Sequence, residues 1–81
     1  MSFLNEVPIK STVRVTKVGG DGPTKRRIMD MGITKNTEIY IRKVAPLGDP
    51  IQINLRGYEL SIRKDDAKNI SVERIWHLEW L

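Results

Sequence analysis

Hydrophobic and polar residues alternate with a period of two in four separate stretches of this chain, the pattern of strands with one face buried and one exposed. In Ser11 to Val18, Val13 and Val15 take one face while Arg14 and Thr16 take the other. In Thr37 to Val44, Ile39 and Ile41 oppose Glu38, Tyr40 and Arg42. Ile51-Gln52-Ile53-Asn54-Leu55 and Tyr58-Glu59-Leu60-Ser61-Ile62 alternate without a break. The last two runs are separated only by Arg56-Gly57, which predicts a tight hairpin with the glycine at positive φ. Pro46-Leu47-Gly48-Asp49-Pro50 joins the second run to the third: Gly48-Asp49 turns the chain, and the prolines stop the ladder from continuing. Strands two, three and four are therefore expected to form an antiparallel meander.

One segment departs from period two. Pro23 to Met31 predicts a short helix, with Gly22 at the cap, Pro23 in the first helical position and Gly32 as a left-handed stop. Thr24, Ile28 and Met31 fall on one side of it, and Lys25, Arg26 and Met29 on another. A helix of two to three turns has little stability of its own, so packing on the sheet must hold it. Lys64 to Lys68 allows one further helical turn before a last strand from Asn69, and Asp65 and Asp66 suit the start of that turn through its dipole. About five short strands with one small helix after the first strand predict a mostly β domain, a small closed or nearly closed barrel that covers its own edges.

Composition narrows the picture. The chain has 81 residues, enough for one domain in which about 60% of the unfolded surface is buried. It has no cysteine, which excludes disulfides, thiolate ligands and thiol nucleophiles together and fits a reducing compartment. No run approaches the roughly 20 apolar residues of a membrane-spanning helix. Met1 to Val7 lacks the basic-then-apolar order of a signal peptide, and Ser2 stands where myristoylation needs glycine. A soluble, cytoplasmic protein is expected. The net charge of +4 is uneven: Lys10, Arg14, Lys17, Lys25, Arg26 and Arg27 crowd the first third. Such a field suits nucleic acid, an acidic protein face or an anionic surface.

Candidate chemistry is sparse. Gly19-Gly20-Asp21-Gly22-Pro23-Thr24-Lys25 superficially resembles a phosphate loop, but a P-loop needs glycine before its lysine and a hydroxyl after it. Here Thr24 precedes Lys25 and Arg26 follows, Pro23 removes a backbone donor, and Asp21 repels phosphate. A glycine-rich strand-to-helix turn is the better reading. His77 is the sole histidine, so no soft-ligand metal site can be assembled within one chain. Nor does that histidine have an evident partner for nucleophilic or acid–base work. The expectation is no catalytic residue, no metal ligand and no cofactor.

Two motifs carry a family resemblance. Gly20-Asp21-Gly22-Pro23-Thr24-Lys25-Arg26-Arg27-Ile28-Met29-Asp30-Met31-Gly32-Ile33, followed by Ala45-Pro46-Leu47-Gly48-Asp49-Pro50-Ile51 and Arg56-Gly57-Tyr58-Glu59-Leu60-Ser61-Ile62-Arg63, resembles the FeoA family of ferrous-iron transport accessory proteins. Order and spacing both match, from about Val7 to Glu73. The resemblance implies an SH3-like barrel in the bacterial cytoplasm, tied to transition-metal handling and acting as an adaptor. Its implied partner is the FeoB-type membrane transporter, which carries a cytoplasmic GTPase domain; no chemistry of its own is implied. Asn36 replaces a glycine that many relatives carry before the second strand, and asparagine tolerates the left-handed conformation needed there. Residues 1–73 are expected to form the domain, and residues 74–81 an apolar extension of the last strand.

Three surfaces are candidates for a partner. On the helix, Lys25, Arg26 and Met29 set basic residues beside a flexible apolar side chain, which suits an acidic protein surface; a plain solvated face is the alternative. Leu47, at the tip of a turn stiffened by prolines, is either folded back over the barrel or offered to a partner. In the tail, Ile70, Val72, Trp76, Leu78 and Trp80 share one strand face, interrupted by Arg74. Trp76 and Trp80 either cap the barrel or make a homo-oligomer or partner contact. Three other functions compete with the adaptor: a small nucleic-acid-binding barrel, an iron-linked regulatory module like the SH3-like domain of iron-dependent repressors, and an assembly protein driven by the tail. Against nucleic acid, no basic groove with interleaved aromatic platforms is visible.

Overall fold

A computed structural model describes residues 2–75. The strands are β1 (Ser2–Phe3), β2 (Thr12–Val18), β3 (Glu38–Val44), β4 (Ile51–Leu55), β5 (Tyr58–Ile62) and β6 (Ile70–Arg74); the helices are α1 (Gly22–Asp30) and α2 (Lys64–Ala67). All strand pairings are antiparallel, in the order β1-β6-β2-β3-β4-β5. The expected meander is β3-β4-β5, and both β4 and β5 have the bounds that alternation predicts.

Two expectations need correction. The described residues form six strands, not about five, because Ser2–Phe3 adds itself to the flank of β6. The helix therefore follows the second strand instead of the first. The sheet is also not closed: β1 and β5 remain its two edges. The β5 edge carries exposed Glu59 and Ser61, polar side chains that discourage stray pairing without a barrel seam.

The core is aliphatic and largely β-branched. Val13, Val15, Ile39, Ile41, Ile53, Ile62, Ile70 and Val72 are fully buried, joined by Leu4 from the N-terminal 3-10 turn, Ile28 from α1 and Ile33. Each such side chain is worth about 1.5–3 kcal/mol on burial, which lets a domain of this size fold without staples. Left-handed backbone conformations mark the turns and the end of α1. Arg56 and Gly57 are both at positive φ, the type I′ geometry that matches strand twist in a two-residue hairpin. Gly32 is at φ 91° and donates its N–H to the Met29 carbonyl, ending α1 as a left-handed stop. Asn36 takes the left-handed conformation at φ 74°.

Cap and dipole details differ from expectation. Asp21, not Gly22, is the N-cap of α1; its carboxylate accepts the Thr24 N–H at 2.8 Å, and Gly22 opens the helix. Aspartate supplies the acceptor that a glycine cap lacks. Asp66 does not merely face the dipole of α2. It is buried and accepts a hydrogen bond from Arg27 at 2.7 Å, which ties α2 to α1. The N-terminus of α2 is capped from outside, by Asp49 Oδ1 accepting the Lys64 N–H at 3.0 Å.

Candidate partner-binding surfaces

Ile28 is fully buried and seats α1 on the sheet, which turns Lys25, Arg26 and Met29 outward. Met29 is 43% exposed. The cap bond from Thr24 holds the Asp21 carboxyl below the ordinary carboxylate value, and the hydrogen bond to Asp66 raises Arg27 above the usual guanidinium value. Arg27 is thus committed to holding the two helices together, while its neighbours Lys25 and Arg26 remain on the exposed surface.

The strand beside α1 contributes to the same surface through an irregularity. Strict alternation would bury Lys17 and expose Val18. A register shift between Val15 and Lys17 in the β2–β6 ladder reverses the phase, so Val18 is buried and Lys17 exposed. A bulge re-aims side chains in this way. Lys17 then shares a groove of about 410 Å³ with Lys25 and Met29 of α1 and with Thr34 and Lys35 of the turn before β3. Thr16 and Val18 complete it, and among the described residues no carboxylate lines it.

The structure therefore brings Lys25 and Met29 together and adds Lys17 and Lys35, which sequence reasoning did not place there. Arg26 is exposed but does not line the groove. Leu47 is 95% exposed at the tip of its turn, closed by hydrogen bonds from Gly48 N–H to the Ala45 carbonyl and from Ala45 N–H to the Pro50 carbonyl. Leu47 is therefore not folded back over the sheet. Trp76 and Trp80 lie outside the described residues. The ladder does extend one residue past β6, where Ile75 donates its N–H to the Thr12 carbonyl.

A second, apolar groove of about 330 Å³ lies at Gly32, lined chiefly by Met31, Leu55, Tyr58 and Leu60. A Cβ at residue 32 would make only an ordinary contact, 3.6 Å from Leu55 Cδ2, so it is the positive φ that favours glycine there. Tyr58 is 74% exposed at its rim. Among the described residues, no group of three His, Cys, Asp or Glu side chains could hold a metal ion, and no helix is long and apolar enough to cross a membrane.

Comparison with known proteins gives this architecture relatives. Residues 3–74 match the model of the FeoA domain. The solution structure of an FeoA-like protein from Clostridium acetobutylicum superposes with a TM-score of 0.87 at 53% identity, covering 94% of this chain and 88% of that one. The zinc complex of Stenotrophomonas maltophilia FeoA, described as a prokaryotic SH3 domain protein, shares the fold at a TM-score of 0.77 and 22% identity, over 90% of this chain and 91% of that one. A fusion of Fe(2+) transport protein A with the Fe(2+) transporter FeoB, from Porphyromonas gingivalis, is 33% identical over 72 residues. That match takes in 89% of this chain but only 8% of the length of the fusion protein. With its SH3-like sheet and a family match over nearly its whole length, the chain belongs to the FeoA family.

Proposed function

We propose that this chain is a cytoplasmic adaptor of a bacterial ferrous-iron uptake system, acting by binding the FeoB-type membrane GTPase transporter and carrying out no reaction itself. The observation that carries the reading is the Porphyromonas gingivalis fusion, in which a relative of this domain and the transporter share one polypeptide. Covalent linkage raises effective concentration to the millimolar range for short linkers, which favours domains that work in contact. The exposed features of the fold agree with a binding role. Lys25, Arg26 and Met29 on α1 and Leu47 on its turn present charge and apolar surface outward. Trp76 and Trp80 of the tail remain candidates for the same partner or for a second copy.

Co-purification of the tagged chain from iron-starved cells tests this reading. Recovery of the membrane transporter is the expected result; recovery of ribosomal or nucleic-acid partners in its place would overturn it.

A further inference from the structure

We infer that the groove between β2, α1 and the turn at Thr34-Lys35 receives an acidic peptide segment bearing one apolar side chain. This rests on the adaptor reading and names the kind of surface its partner presents. The walls carry Lys17, Lys25 and Lys35, with no carboxylate among the described lining residues. None of these three lysines makes an ion pair among the described residues, although Arg14, Arg27, Arg42 and Lys68 all do. Three ammonium groups around one concavity repel one another, and an anionic segment relieves that repulsion.

Met29 supplies the apolar contact. It is 43% exposed and lines the groove beside Val18, and an unbranched thioether adapts to a range of apolar partners. These features favour a peptide over nucleic acid. Single-stranded nucleic acid needs aromatic platforms for its bases, and none of Phe3, Tyr40 and Tyr58 lines this groove. Lysine, a point charge on a flexible stem, also suits scattered carboxylates better than planar bidentate recognition.

The test is titration of the full chain with a short synthetic peptide of alternating glutamate and glycine around a central leucine. A lysine-for-glutamate version and an oligothymidine of equal charge serve as the competing probes. The acidic peptide is expected to bind and to shift the Met29 methyl resonance. The combined Lys17→Glu, Lys25→Glu and Lys35→Glu variant should weaken that binding by about tenfold or more, with its thermal midpoint retained. Replacing the peptide's leucine by glycine should weaken binding too. Binding that ignores the lysine reversals, or tighter binding of oligothymidine than of peptide, would overturn the inference. A transporter that co-purifies equally well with the triple variant sinks the groove and leaves the adaptor standing. A transporter that fails to co-purify with the unaltered chain sinks the adaptor itself.

Discussion

The outer face of the sheet and the groove beside α1 are both rich in cations, yet they use them differently. On the sheet, Arg14 of β2 pairs with Glu73 of the adjacent β6, and Arg42 of β3 reaches across β4 to pair with Glu59 of β5, so each charge is neutralised from another strand. In the groove, Lys17, Lys25 and Lys35 come from three separate segments and have no carboxylate among the described lining residues. Residue type separates the two regions as well: arginine, with its planar fork, serves the cross-strand pairs, and lysine lines the open site. A count of positive residues cannot distinguish the two cases. What matters is whether the fold brings an acid to each base.

That contrast can be broken or sharpened experimentally. The largest effect is expected from Ile28→Ala, which removes the fully buried side chain seating α1 and with it one wall of the groove. A cost of about 2–5 kcal/mol is expected, lowering the thermal midpoint by at least about 8 °C, with acidic-peptide binding lost in step. Asp66→Ala releases Arg27 and uncouples α1 from α2. With Arg27 largely solvated, the loss should be about 1 kcal/mol by denaturant titration, and the groove lysines should still bind.

Acid should loosen the same helix. The Asp21 carboxyl lies below its ordinary value in the folded state because it accepts the Thr24 N–H. The unfolded chain therefore takes up that proton more readily, and the stabilisation is complete above a pH of about 4 and lost as pH falls through the lowered value. Thermal midpoints of the parent and of Asp21→Ala, measured from neutral pH downwards, should converge in that acidic range and differ above it. The smallest effect is expected from Glu73→Gln, on the paired face. An exposed ion pair is worth roughly 0–1 kcal/mol, so the midpoint should barely move and peptide affinity should not change.

Much of this fold was legible because its signals are local. Alternation located β4 and β5, and Gly57, Gly32 and Asn36 took the left-handed conformations that their residue types and positions predict, whereas the left-handed Arg56 follows from the two-residue turn and not from its residue type. β1 was not legible, since two residues carry no period and only pairing with β6 makes them a strand. A closed or nearly closed barrel was expected from the need to cover edges, and polar residues on β5 meet that need without closure. Half of the groove was visible as Lys25 and Met29 on a helix face. Lys17 was hidden because the bulge that exposes it arises from the ladder with β6, a partner more than 50 residues away. Asp66 read as a dipole partner because its actual partner, Arg27, lies 39 positions earlier.

The central claim, that this chain works by contact with a ferrous-iron transporter, is tested most directly by calorimetric titration of the purified chain into the transporter's cytoplasmic portion at low and high salt. Saturable binding that weakens as salt rises is expected, the mark of exposed charges screened across an interface. Absence of heat at both salt concentrations, from a folded chain that binds oligonucleotide with a steep salt dependence, would contradict it.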